Sequence, residues 1–303
     1  MRDSKKLAIG LCTYKRPLML KLCLQSLFRM AKPDGPELCI IIADNDPEGS
    51  AQQIVNEFNA MNLIPVHYNI EKNKGIPFAR NNILNCAKVL EISDLAFIDD
   101  DEFVDANWLI SLWNHYTSNQ VDVVWGWVKT IYPPHTPRWI VEGRIFQLPE
   151  NITGQQYHTA YTNNVLFNFN KLVIEYGLYF DEDCGLVGDD EDFFMRSATR
   201  GAIIHYLADA VVYETLDDSR MKVAYYLKRL FYMKNNKKIF QKQEFISRLK
   251  ILRSGIIDIL RSLASFTLAF LTMKKCRFVL GLGFLVSGFA KISGFFGIHL
   301  KWD

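Results

Sequence analysis

The stretch LAFIDDDEF, residues 95–103, sets four apolar residues and Asp99 to Asp101 plus Glu102 side by side. A run such as Leu95–Ile98 reads as a buried strand. Four consecutive acids behind it repel one another and resist desolvation. Either the acids form a wet turn or something positive sits among them. Carboxylates one residue apart at a strand end can share a divalent cation with substrate phosphates, because Mg²⁺ and Mn²⁺ are held by one or two carboxylates plus phosphate oxygens.

Working outward, the chain before this stretch alternates between two periods. LAIGLC (7–12), LCIIIAD (38–44), PVHYNI (65–70) and LAFID (95–99) read as strands. Helical spacing fills the intervals, with Leu18, Leu22 and Phe28 first, then 49–61, 76–91 and 105–118. Strand–helix alternation predicts an α/β fold: a Rossmann-like, mostly parallel sheet with helices on both faces. In such sheets ligands gather at the carboxyl ends of the strands. Thr13, Tyr14 and Arg16 follow the first strand, Asp44 ends the second, Asn73 and Gly75 follow the third, and Asp99–Asp101 follow the fourth. All four clusters are thereby predicted on one sheet edge. Arg80 and Asn81, after Gly75, are placed to reach a phosphate or a ribose.

The later half is less regular. VDVVWGWVKTIY (121–132), NNVLFNF (163–169) and AIIHYLADAVVYE (202–214) read as strands, with a Pro- and aromatic-rich loop over 133–157. DDEDFFMRSATRG (189–201) reads as a helix whose acids meet the positive end of the macrodipole, with Gly201 as its stop. On that helix Asp189 and Asp192 share a face and Asp190 points elsewhere. A carboxylate here, apart from the first cluster, suits the acceptance of a proton. Trp125 and Trp127 offer a stacking surface for a sugar or base, or else fill the core.

The 303 residues carry a net charge of +2, which gives no global reason to expect nucleic acid. Charge is nonetheless segregated: eleven Lys/Arg and one acid, Glu244, lie between Arg220 and Arg253. Beyond them two apolar segments approach the C-terminus, the first broken by Asp258 and Arg261. The uninterrupted run from Leu263 to Met273 is short against about 30 Å of hydrocarbon. A helical hairpin or interfacial helices on an anionic membrane surface is therefore expected rather than two full spans. The six cysteines form no CxxC pair and read as buried free thiols of a reducing compartment. The first residues lack the apolar core of a signal peptide, so the catalytic portion is expected in the cytosol.

Taken in order, TYKRP (13–17), ADN (43–45), NKGIPFARN (73–81), FIDDDE (97–102), NNVLF (163–167) and GDDEDFFMR (188–196) resemble glycosyltransferase family 2, in particular bacterial members that build exopolysaccharide or surface glycans. The resemblance covers about residues 7–236. It implies a GT-A fold, with a nucleotide-sugar half (1–120), an acceptor half (121–236) and a basic linker with a membrane-associated hairpin (237–303). It implies a nucleotide-sugar donor, commonly a UDP-sugar, and a divalent metal, Mn²⁺ or Mg²⁺. Thr13, Tyr14, Arg16, Asp44, Asn73, Gly75, Arg80, Asp99 and Asp100 fall to the donor, with Asp44 on the base or ribose and Asp99 near the ribose. Asp101 falls to the metal. Asp190 matches the general base, and Asp189 stands where the family commonly has Glu; Glu191 and Asp192 keep the register of that base open. Trp125, Trp127 and Asn164 would line the acceptor side, and Arg220 would help the leaving group. The implied acceptor is a glycan or a polyprenyl-diphosphate-linked glycan at the cytoplasmic face of the membrane. No QxxRW occurs, so one sugar per encounter is expected. Two rival readings stay open: a sugar-phosphate nucleotidyltransferase, against which CTYKRPLML has no glycine, and a nucleotide-sugar-binding scaffold without catalysis.

Overall fold

The computed structural model describes residues 5–183, 188–235 and 245–299. Two compact units arise, one from residues 1–130 and 148–214, the other from 131–147 and 215–303. This division differs from the expected boundary near 236. The segment 131–147 leaves the sheet unit to pack with the chain's last helices, a pairing that no local pattern announces.

The first unit begins β1 (Lys6–Thr13), α1 (Pro17–Arg29), β2 (Glu37–Asp44), α2 (Gln52–Asn59), β3 (Val66–Ile70), α3 (Ile76–Val89) and β4 (Asp94–Ile98). It continues with β5 (Glu102–Val104), α4 (Trp108–Asn119) and β6 (Val123–Ile131). After α5 (Arg138–Gly143), which belongs to the second unit, come β7 (Gln156–Tyr157), β8 (Asn164–Asn168), a π-helical turn (Asn170–Glu175), α6 (Asp189–Thr199) and β9 (Ile204–Thr215). Among the described residues these nine strands form one sheet, ordered β3-β2-β1-β4-β8-β6-β9-β5, with β7 on β9.

β1, β2, β3 and β4 pair in parallel. Such strands are covered on both faces, so β1 reads as a nearly unbroken apolar run. Its successive side chains serve two cores. Leu7, Ile9 and Leu11 pack with Leu20 and Leu24 of α1 and Phe58 of α2; Ala8 packs on the other face with Ile83 and Leu84 of α3. Each fully buried Leu, Ile or Phe is worth about 1.5–3 kcal/mol relative to exposure. α1 shows why it forms: Pro17 sits in its first turn, and Leu20, Cys23, Leu24 and Leu27 recur at helical spacing on the buried face.

Beyond β4 the sheet turns antiparallel, through β8 against β4 and β6 against β8. The parallel expectation therefore holds for β1 to β4. β5 is an unexpected strand. It runs antiparallel to β9 and places Glu102 opposite Glu214. Order 3-2-1-4 reverses direction between β1 and β4, the switch point where α/β sheets open a crevice at their carboxyl ends.

The second unit holds α5, a 3-10 turn (Asp218–Arg220), α7 (Val223–Lys234), α8 (Phe245–Thr272) and α9 (Lys275–Phe295). Trp139, Ile140 and Ile145 pack with Leu216, Cys276 and Val279. α8 from Arg248 and the whole of α9 are long and apolar enough to cross a membrane by length and composition. The helix is thus longer than the apolar run read from sequence, because Asp258 does not interrupt it. Asp258 accepts from Lys291 Nζ and Ser287 Oγ, each at 2.7 Å, and is 6% exposed. Cys12, Cys23, Cys39, Cys86 and Cys276 are free thiols as expected, and Cys184 lies outside the described residues, as do residues 236–244 of the basic stretch.

Candidate active site

Thr13 ends β1 and Asp100 follows β4, the two strands flanking the switch point. Thr13 Oγ1 donates to Asp100 Oδ2 at 2.6 Å and closes the base of the crevice. Arg16, exposed just before α1, donates to Asp101 Oδ2 at 3.1 Å and to Asp100 Oδ1 at 3.5 Å. The polar residues after β1 and β4 are therefore one cluster, as their positions at strand ends predicted.

The second acidic cluster meets the first through Arg80. This guanidinium, 8% exposed on α3, donates to Asp189 Oδ2 at 2.6 Å. Burial works against its charge, but Asp189, Asp190 and Asp99 together hold it protonated. Arg80 is thereby the common neighbour of carboxylates ninety positions apart in the chain. Its role here is to join them, and any phosphate contact would share it with Asp189.

The floor of the crevice carries more acid than cation. Burial pushes Asp99 up to about 7, with Arg80 opposing and Asp101, Asp100 and Glu214 adding. Burial also raises Asp100 to about 6, against the hydrogen bond from Thr13. Glu102 is buried, accepts from the Asp99 amide at 3.1 Å, and is driven well above its ordinary range by burial, then by Asp99 and Glu214. Sequence reading took Glu102 as part of the acidic run and missed Glu214. The pair becomes visible only when β5 is laid against β9.

This donor set fits a hard dication. Its oxygens are crowded, partly desolvated and short of positive partners. Among the described residues no group of three His, Cys, Asp or Glu side chains is arranged to hold a metal alone. Mg²⁺ and Mn²⁺ are commonly held by one or two carboxylates, with substrate phosphates completing the shell.

Asp190 opens α6 beside Asp189. Burial raises its carboxyl above the usual range, Arg80 opposes, Asp189 adds, and the backbone amides of Glu191 and Thr162 stabilise its anion. The Glu191 amide donates to Oδ1 at 2.8 Å. Asp192 is engaged elsewhere, accepting from Arg196 Nε at 2.7 Å. Tyr161, half-exposed, feels both Asp190 and Glu191 and stacks edge-on to Trp125 at 5.5 Å. The sequence reading passed over Tyr161 and Thr162, although they directly precede the NNVLF motif.

Several predicted site residues turn out to be internal fasteners. Asp44 is fully buried, accepting from the amides of Asp46 and Ala51 and from Tyr68 Oη at 3.0, 2.8 and 2.8 Å. It shapes the loop after β2 and presents no accessible oxygen to a base. Asn45 does the same for the next loop: its amide donates to Asn73 O at 2.7 Å and accepts from the Gly75 amide at 2.8 Å. Asn73 and Gly75 are thus fixed at the crevice rim, Asn73 exposed. Asn81 clamps Phe180 through both its amide and its carbonyl, at 2.9 and 2.8 Å.

Asn164, expected on the acceptor side, is held inside the sheet. It is 1% exposed, accepts from Trp108 Nε1 at 2.8 Å, and donates to Ala210 O at 2.8 Å and Trp127 O at 3.1 Å. Trp125 is likewise a core residue, ringed by Tyr157, Tyr161 and Tyr206. Trp127 is half-buried, its Nε1 on Leu148 O at 3.2 Å. Tyr14 is 40% exposed, with the ammonium groups of Lys15 and Lys74 at 5.5 and 5.7 Å from its ring. Arg220 closes the 3-10 turn of the second unit.

Comparison with known proteins bears on this crevice. Residues 8–176 match the family described as Glycosyl transferase family 2. The chain is 33% identical over 226 residues to the succinoglycan biosynthesis protein ExoM of Rhizobium meliloti, covering 74% of this chain and 71% of that protein. The fold is similar to that of S. aureus TarS 1–349, with a TM-score of 0.56 at 16% identity over 98% of this chain and 94% of that one. It is also similar to the mannosyltransferase PcManGT of Pyrobaculum calidifontis, solved with GDP-Man and Mn²⁺, with a TM-score of 0.62 at 14% identity over 96% and 88%.

Proposed function

The chain belongs to glycosyltransferase family 2, and from that premise we propose that it transfers one sugar, with inversion, from a nucleotide-sugar to a glycan or lipid-linked glycan during surface polysaccharide assembly. The observation that carries this reading is the convergence of Asp99, from the first acidic cluster, and Asp189–Asp190, from the second, on Arg80 at the sheet's carboxyl edge. Inverting transfer needs a cation-holding acid cluster on the leaving-group side of the sugar and a proton acceptor on the other.

Asp190 is the general base. It accepts the proton of an acceptor hydroxyl, whose oxygen attacks the anomeric carbon in line. Its raised carboxyl pKa matches it to that task, because a stronger base takes the proton further in the transition state. Asp189 and Arg80 hold the base's helix at the crevice. Arg16 meets the diphosphate, and Tyr14 with Lys74 flanks the nucleoside side. Asp101 would hold Mn²⁺ or Mg²⁺, which supplies positive charge to the departing diphosphate when bound, with Asp99 near the ribose. UDP is the nucleotide we favour, on the family resemblance. In this reading the C-terminal helices associate with a membrane, which suits a lipid-linked acceptor, and the reaction lies at the cytoplasmic face, the side that the surrounding Lys and Arg residues favour.

The test is release of nucleoside diphosphate across a panel of nucleotide-sugars, with and without Mn²⁺. The expected outcome is metal-dependent release from one donor, lost in Asp101→Ala. Asp190→Asn should lose transfer while still binding donor. Pyrophosphate formed from a nucleoside triphosphate and a sugar phosphate would instead establish a nucleotidyltransferase. Donor binding with no release under any condition would establish a scaffold.

A further inference from the structure

α9 has 21 residues and α8 has 28. At 1.5 Å per residue either could span about 30 Å of hydrocarbon. The buried pair Asp258–Lys291 removes the charge that seemed to forbid this. What forbids it is the company α9 keeps inside its own unit.

At the start of α9, Cys276 and Val279 pack with Trp139 and Ile140 of α5. Farther on, Gly283 lies so close to Tyr226 of α7 that a Cβ would stand 2.5 Å from the phenol oxygen. At the far end, the Asn235 amide, just after α7, donates to Ala290 O, Ser293 Oγ and Ile298 O at 2.9, 2.8 and 3.0 Å. One side of α9 is thus clasped from end to end. A crossing α9 would draw α5 and α7 into hydrocarbon with Arg138, Glu142, Lys228, Arg229 and Lys234, each costly there. α7 itself has 12 residues and cannot cross.

The other surfaces of the hairpin are apolar and uncovered. Ile256, Leu260, Leu263 and Phe270 recur at helical spacing on α8, and Phe278 and Phe289 on α9 with Phe296 just after it, all exposed. A contiguous exposure of this kind marks a membrane or protein contact. Charge decides between them. Asp258 is the sole acid in residues 245–299 and is sealed by Lys291. The exposed charges, Lys250, Arg253, Arg261, Lys274, Lys275 and Arg277, are all cationic. A second copy would bring like charge to like; anionic headgroups complement it.

We infer that the hairpin of α8 and α9 lies in the headgroup–acyl boundary of a single anionic leaflet, its apolar ridges buried about 5–10 Å, and does not cross the bilayer. This deepens the membrane association proposed above, and its test reads no sugar transfer, so the two can fail separately. The cationic turn Met273–Arg277 lies on the same side of the membrane as α7.

The test uses the full chain in cell membranes and in vesicles. Met273→Cys, at a site 86% exposed, is compared with Lys228→Cys, also exposed, using a membrane-impermeant maleimide on intact cells and on inverted membranes. The unsubstituted chain is the blank for its own thiols. Both substituted positions should label from one and the same side. Labelling of Met273→Cys from the side opposite Lys228→Cys overturns the inference, as does protection of Met273→Cys from both sides until detergent is added. In flotation, the chain should rise with phosphatidylcholine–phosphatidylglycerol vesicles. Replacing Lys274, Lys275 and Arg277 by Gln should weaken that affinity about a hundredfold, roughly fivefold per cation, and leave the weaker binding to pure phosphatidylcholine unchanged. A chain that stays at the bottom with both vesicles, or a triple variant with unaltered affinity, also overturns it.

Discussion

At the scale of single residues, two arginines at one crevice do different work. Arg80 and Asp189 have side chains only 10% and 3% exposed, 2.6 Å apart. Removing one partner of a buried pair strands the other, at about 3–5 kcal/mol. Arg80→Ala should therefore lower the denaturation midpoint severely as well as abolish transfer. Arg16, with 49% of its side chain exposed, sits in a solvent-screened pair with Asp101. Arg16→Ala should cost under about 1 kcal/mol in urea titration while weakening donor binding at least tenfold by calorimetry. Equal stability losses in the two variants would refute the distinction. Asp190 adds a pH signature. Its folded pKa lies above the ordinary 3.8, so the base stays protonated over a wider acidic range. The rate should climb with pH through a limb above the usual carboxylate region. The linkage has the matching sign: stability tied to the protonated carboxyl is present below the unfolded pKa and lost as pH rises through the folded one. Asp190→Asn removes that loss. Its denaturation midpoint, relative to the parent, should rise as pH climbs above the ordinary carboxylate range; a constant difference would assign the pH limb to another group.

At the scale of elements, the centre of the sheet is held by one amide. Asn164 at the start of β8 ties α4, β6 and β9 through Trp108, Trp127 and Ala210. Gly126 of β6 makes room for it: an added Cβ would stand 2.1 Å from Ala210 O and 2.5 Å from Asn164 Nδ2. Asn164→Ala leaves an indole N–H and two carbonyls buried without partners, each costing about 1–3 kcal/mol. The expected result is a loss of several kcal/mol in chemical denaturation, with whatever enzyme remains folded keeping its acceptor KM. A raised acceptor KM at unchanged stability would return Asn164 to the acceptor side. The sequence motif NNVLF thus marks an element junction, and the Thr162 amide just before it reaches Asp190.

At the scale of the whole molecule, what could be read from sequence depended on how local the cause was. β1 to β4 and their helices announce themselves because two-sided burial and helical periodicity are written within ten residues. The acids after β4 were legible because a strand end fixes where they point. Arg80 with Asp189, and Glu102 with Glu214, lie about 110 residues apart in each case and are joined only by tertiary packing. β5, three residues long and opening on the last of the four acids, carries no period of its own. The second unit was least legible, since residues 131–147 leave for it and rejoin the sheet unit afterwards. That topology yields the last prediction. If residues 237–303 were an appended anchor, the rest of the chain would fold without them. Instead Ile140 and Ile145 are nearly fully buried, and their apolar cover includes Cys276 and Val279. Uncovering each such side chain forfeits about 1.5–3 kcal/mol and leaves a sticky patch. A chain ending at residue 244 should therefore be recovered mainly in aggregates, and any soluble fraction should bind a hydrophobic dye and expose Trp139 to fluorescence quenching. Trp139→Ser/Ile140→Ser in that shortened chain should restore solubility without restoring membrane recovery. A soluble, monomeric 1–244 chain with Trp139 still shielded would show that the C-terminal helices are dispensable to the fold.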